Sequence, residues 1–454
     1  MPTALWFETA LVGDAWADRV RIVGVDGVIQ TLQTGVDPMP RDDRATIGVP
    51  GIANVHSHAF QRGMAGLAET AGPAADDFWT WREVMYRFLG RLTPDDVEAI
   101  AALAYTEMLE SGFTRVGEFH YLHNAPDGRP YDRPEEMAER IVAAADLTGI
   151  GLTLLPVFYA HAGFGGSPPN SGQRRFINTP DRFARLVETG RALVSGLPDA
   201  RLGVAPHSLR AVTPEELDLV IGLAEGGPIH IHAAEQVREV SDCIAWSGLR
   251  PVEWLLSNAP VGADWCLIHA THLTQGEIDG LAARGAVAGL CPITEANLGD
   301  GLFPAPDFLA ARGRFGLGTD SNVLIDAAQE LRAMEYGQRL SRRARNVLAT
   351  PGRASVAAGL FIAAVAGGAQ ALAGEPPGLR VGASLDVVGL RADHVSLCGR
   401  RGDAILDGWI FAAGAAAIDQ VWRRGRKVVA DGRHIHKAAI EVRYRRTLRA
   451  LLTD

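Results

Sequence analysis

The sequence predicts an α/β fold: a (β/α)8 TIM-like barrel carrying a small β-sandwich domain built from both termini. Three observations predict it. Short apolar runs alternate with helical stretches through the middle of the chain, the pattern of βα units and a parallel sheet. Polar residues collect at the C-terminal ends of those runs, where barrel active sites lie. Both ends of the chain are rich in strands and glycine turns, and the middle is not. The expected division is 1–49 plus 375–454 for the composite β domain and 50–374 for the barrel.

Near the N-terminus, Val20–Val25, Asp26-Gly27 and Val28–Gln30 read as a hairpin with an Asp-Gly turn. Its counterpart at the other end comprises Asp386–Leu390 and Val421–Gly432. Between them the barrel strands are expected at 51–55, 115–119, 152–158, 201–205, 228–232, 265–269, 286–291 and 314–320. Thr93-Pro94, Thr179-Pro180 and Thr213-Pro214 each offer an N-cap, a proline at the first helical position and acidic residues in the first turn. Thr274-Gln275-Gly276-Glu277 is a capping box. An open doubly wound sheet is the alternative, but no Gly-x-Gly-x-x-Gly turn follows the first strand.

His56 and His58 close the first apolar run. Residues two apart on a strand face the same way, so the two imidazoles project together and can share a metal ion such as zinc. On a barrel, His232 closes the fifth strand, His269 the sixth and Asp320 the eighth, so all converge at one mouth. Three imidazoles and a carboxylate around one ion, with a position left open, make a catalytic site. The fourth strand ends Val204-Ala205-Pro206-His207 without a lysine to bridge two metals, which favours one ion. His230 lies one layer deeper than His232 and reads as a packed core histidine. His434 and His436 read as a solvated turn, and His123, His161 and His272 as loop residues with cap or surface roles.

A net charge of −9 over 454 residues argues against a nucleic-acid partner, though local arginines can still receive an anionic substrate. The four cysteines, Cys243, Cys266, Cys291 and Cys398, are scattered, as reduced cytoplasmic thiols are. The first residues lack the basic and apolar segments of a signal peptide, and no apolar run is long enough to span a bilayer. The expectation is a soluble cytoplasmic protein with no membrane partner.

The leading His-x-His, His232-Ala233-Ala234-Glu235, the lone His269 and Gly318-Thr319-Asp320-Ser321 together resemble the amidohydrolase superfamily, in its mononuclear deaminase branch. Asn54–Arg62 and Phe78-Trp79-Thr80-Trp81-Arg82-Glu83 resemble, within it, the formimidoylglutamate deiminase family of histidine degradation. The resemblance implies hydrolysis of N-formimino-L-glutamate to N-formyl-L-glutamate and ammonia by one Zn2+, with Fe2+ able to take the same ligands. It implies His56, His58, His232 and Asp320 as metal ligands. Asp320 and His269 would take the proton of the attacking water, and Glu235 would act as general acid. For the substrate's two carboxylates it implies Arg82 and Arg210, with Gln61, Tyr121 and His207 completing the pocket. Enzymes of this build are often homodimers. Two alternatives remain open: the same chemistry on another amidine or an aminated ring such as guanine, and an inactive scaffold.

Overall fold

Parallel pairing dominates the middle of the chain. The computed structural model describes residues 2–71, 76–374 and 376–453. Met1, Glu375 and Asp454, three of the expected domain bounds, lie outside the described residues. Four N-terminal strands come first: β1 (Thr3–Val12), β2 (Ala15–Val25), β3 (Val28–Gln33) and β4 (Asp43–Pro50). The barrel follows with β5 (Ile52–Ser57), β6 (Phe113–His120) and β7 (Gly151–Phe158). Its fourth strand is split into β8 (Arg201–Leu202) and β9 (Ala205–Pro206). Then come β10 (Ile229–Ala233), β11 (Trp265–His269), β12 (Val287–Leu290) and β13 (Arg314–Leu317).

Every neighbouring pair along the path β10-β11-β12-β13-β5-β6-β7-β8 is parallel. Bridges Val204↔Ile229 and Ser208↔His232 close the remaining seam. Each strand lies where the apolar runs predict it, and the open-sheet alternative is excluded by that closure. At the break between β8 and β9, Gly203 runs hard against its neighbour: a Cβ there would meet the Pro228 carbonyl oxygen at 2.3 Å.

The second sheet joins the two termini. Its C-terminal strands are β14 (Val387–Leu390), β15 (Ile418–Arg423), β16 (Arg426–Ala430) and β17 (Arg433–His434). Its order is β17-β16-β15-β14-β4-β1-β2-β3, with β4 parallel to β1 and antiparallel to β14. Both halves share one core, in which Leu5, Phe7, Ile22 and Ile29 meet Leu385, Val387 and Trp422. The hairpin turn forms as predicted, with φ of 51° at Asp26 and 83° at Gly27, the mirror-image geometry that matches strand twist. After this sheet the chain returns to the barrel. Its last helix, Lys437–Leu452, packs on Pro94–Glu110, with Arg443 paired to Glu98 and Lys437 to Glu110.

Thr93, Thr179, Thr213 and Thr274 cap their helices, each hydroxyl accepting from the backbone N–H three residues on. Two histidine expectations are corrected. His434 is no solvated residue: it is buried and its Nε2 donates to Thr148 O at 2.9 Å, only His436 being exposed. His123 is likewise buried, with Nε2 donating to Val157 O at 2.9 Å, because its own N–H is tied to the covering segment at Arg175 O. His230 is a core residue as expected, bonded to Ala371 O at 2.8 Å.

The apolar helix Val356–Ala371 approaches the barrel through glycines, and a Cβ on Gly367 would meet Phe315 O at 1.9 Å. Gly367→Ala should therefore lower unfolding stability by about 1–3 kcal/mol. Gly276→Ala, on a helix where nothing lies within 4 Å of the new methyl, should be neutral or stabilising. Chemical denaturation of both variants checks the contrast.

Candidate metal centre and active site

Strand alternation alone does not deliver the site. Asn54 contacts Met108 on the helix outside the barrel, while Val55 packs with Cys266 and Ile268 in the interior. Strict alternation would turn His56 and His269 outward. Two departures bring them in. The register of β5 slips between Asn54 and Ser57, and His269 takes a left-handed φ of 66°. Ala234, Ala270, Asp320 and Asn322 are left-handed too, so strained non-glycine backbone gathers at the barrel mouth. A clamp across the first and eighth strands holds it. Thr319 N donates to Asn54 Oδ1, Thr319 Oγ1 to Asn322 Oδ1, and Asn322 Nδ2 to Ser57 Oγ and His58 O.

His56, His58, His232 and Asp320 converge there, one ligand atom of each lying within 4.8 Å of the others, and all four are buried. His56 Nε2 is 3.2 Å from His58 Nε2 and 3.1 Å from His232 Nε2, and Asp320 Oδ1 lies 3.2 Å from His58 Nε2. The tautomers follow from the partners. His58 Nδ1 faces Phe119 O and His232 Nδ1 faces His207 O, both at 3.0 Å. A carbonyl oxygen only accepts, so each Nδ1 carries the proton and each Nε2 presents a lone pair inward. Lone pairs and a carboxylate aimed at one point fit a cation. Burial holds the His56 imidazole down to about 3, hence neutral, as ligation requires.

The second oxygen of Asp320 looks the other way, 3.8 Å from His269 Nε2. Glu235 Oε1 stands 3.7 Å from the same nitrogen, which is buried and makes no hydrogen bond. His269 Nδ1 lies 3.2 Å from Glu295 Oε1. Burial opposes its charge, yet Glu235, Glu295 and Asp320 prevail and raise it to about 10. Burial pushes Glu235 up in turn. Glu235 Oε2 is 3.5 Å from Arg210, which also lies 3.9 Å from Glu239.

Beside this centre is a cavity lined by Arg82, Tyr121, His207, Arg210 and Glu235, with Tyr86, Tyr159 and Phe176 among its apolar walls. Gln61 joins it through Nε2, which donates to Tyr121 Oη at 2.7 Å. Of the residues expected from the sequence, His56, His58, His232 and Asp320 form the cluster, His269 lies 3.8 Å from Asp320, Arg82, Tyr121, His207, Arg210 and Glu235 line the cavity, and Gln61 is bonded to Tyr121. Three supports were not foreseen: Glu295 behind His269, Glu239, which accepts from the N–H of Ala234 and Glu235, and the Asn54–Thr319–Asn322 clamp. The first two carry a faint signal, an acidic residue in the first turn of a helix starting at a strand end.

Residues 47–362 match the model of the amidohydrolase family. The chain is 49% identical over 435 residues to a formimidoylglutamate deiminase of Pseudomonas aeruginosa, spanning 95% of this chain and 96% of that one. It superposes on a crystal structure of an amidohydrolase from Brucella melitensis with a TM-score of 0.96 and 55% identity, over 99% of this chain and 100% of that one. A zinc-bound adenosine deaminase from Xanthomonas campestris shares the fold at a TM-score of 0.83 and 22% identity, over 99% of this chain and 98% of that one. The chain belongs to the amidohydrolase family.

Proposed function

We propose that this protein hydrolyses N-formimino-L-glutamate to N-formyl-L-glutamate and ammonia, a hydrolase acting on the C–N bond of a linear amidine. The observation that carries the reading is the placement of Arg82 and Arg210 in one cavity with Glu235, next to the converging donors. Paired guanidinium forks suit the two carboxylates of this substrate and weigh against a neutral ring. A relative of that activity at 49% identity supports it. The intact donor set weighs against an inactive scaffold.

In this reading His56, His58, His232 and Asp320 hold one divalent ion, Zn2+ or, with the same ligands, Fe2+. When bound, the ion acidifies a coordinated water from about 15.7 toward about 7. The other steps belong to side chains. Asp320 Oδ2 and His269, 3.8 Å apart, orient the attacking water, and Asp320 takes its proton as the oxygen adds to the formimino carbon, His269 being already protonated. Glu235, kept protonatable by burial, gives a proton to the terminal nitrogen as the C–N bond breaks and ammonia leaves. Arg82 and Arg210 take the carboxylates, and Gln61, Tyr121 and His207 complete the pocket.

Residues 50–374 form the catalytic barrel in this reading, and 1–49 with 375–454 the composite β domain. We place the enzyme in the cytoplasm as a homodimer, with a small dicarboxylate as its partner and neither nucleic acid nor membrane. The free thiols of all four cysteines are in keeping with a reducing compartment. No helix among the described residues is long and apolar enough to cross a membrane.

Purified protein given N-formimino-L-glutamate should release ammonia and N-formyl-L-glutamate in equal amounts; glutamate and formamide instead would show that the other nitrogen leaves. Glu235→Gln should keep its metal and lose about 10²–10⁴ in kcat. Arg210→Ala should raise KM more for the dicarboxylate than for an analogue with one carboxylate amidated, and an equal loss for both would remove Arg210 from the pocket. Elemental analysis should find metal retained in His230→Asn and lost in His232→Asn.

A further inference from the structure

The helix Phe78–Leu89 presents Trp79, Arg82 and Tyr86 at successive turns of one face. The Arg82 guanidinium carbon lies 4.3 Å from the Trp79 ring centre and 5.6 Å from that of Tyr86. Among the described residues Arg82 makes no ion pair, and its Nε is buried without a hydrogen-bond partner. An unpaired arginine has a long, mobile stem and loses rotamer freedom when it meets a ligand. Here the indole is the nearer of the two rings that face its guanidinium. Trp79 is itself held at both ends: Asp77 Oδ1 accepts its backbone N–H at 2.8 Å, and Arg238, from the helix that begins just after Glu235, lies 4.8 Å from its ring centre. Arg210 completes the group at 5.9 Å.

We propose that Trp79 is the positioning residue for Arg82, its ring holding an otherwise unpaired guanidinium ready for a carboxylate of the substrate. The inference rests on the dicarboxylate reading above. It makes Trp79 a determinant of selectivity for doubly charged substrates, although it need not touch them. The indole face attracts the cation and leaves the in-plane N–H groups free for a bidentate contact. An acidic partner would occupy those same donors.

The test is a double-mutant cycle on the full chain, with binding of N-formyl-L-glutamate measured by calorimetry. Trp79→Ala should weaken binding by about tenfold, the upper range of a partly desolvated cation–π contact, and Trp79→Phe should recover most of it. In an Arg82→Met background the Trp79→Ala change should have no further effect, because the group it positions is gone. An equal loss in both backgrounds would assign Trp79 to packing of the helix and overturn the proposal, as would unchanged binding in Trp79→Ala. Wild-type protein that binds the dicarboxylate but releases no ammonia from the formimino compound would overturn the deiminase reading, while the cycle still decides Trp79. No binding by the wild type would overturn both.

Discussion

The site depends on an unfavourable convergence. Two backbone carbonyls, Phe119 O and His207 O, dictate the tautomers of His58 and His232, and the lone pairs left over meet a carboxylate in a buried space. Without a cation such a group repels itself and pays for its own desolvation. The chain imposes it through backbone in sparsely allowed conformations, at about 1–3 kcal/mol for each strained residue. That strain persists because the Asn54–Thr319–Asn322 clamp and the closed barrel leave those residues no alternative.

Charge is sorted around this centre by distance. Asp320 serves two neighbours with two oxygens, one toward the imidazole cluster and one toward His269. Glu295 backs His269 on the far side, so a buried imidazolium is flanked by carboxylates, the arrangement in which a buried charge is tolerated. Arg210 faces Glu235 and Glu239 at 3.5 and 3.9 Å, loose contacts that keep it in place without saturating its donors. A protein of net charge −9 can thus expose local cations to a dianion.

Much of this was legible in the sequence, and the limits are instructive. The strands were readable because each apolar run is short and bounded, and the helix starts because threonine and proline mark them chemically. The four residues of the converging cluster were readable as polar residues ending apolar runs. Period-two alternation does not account for the convergence: His56 enters by a register slip and His269 by a left-handed turn, and neither leaves a trace in residue type. Asn322 acts through contacts made by folding alone, and Glu239 and Glu295 left only the faint mark of an acidic first-turn residue. The burial of His434 and His123 was hidden for the same reason: each is covered by a segment distant in sequence, near Thr148 and Arg175 respectively.

One residue ties the pocket to the metal cluster mechanically. The carbonyl of His207 accepts both the N–H and the ring Nδ1 of His232, each at 3.0 Å, while the His207 side chain lines the cavity. Its peptide is also part of the seam that shuts the barrel. The peptide that carries a cavity-lining imidazole on one side thus anchors, on the other, the ring that faces the cluster, so a substitution that turned this peptide would disturb both.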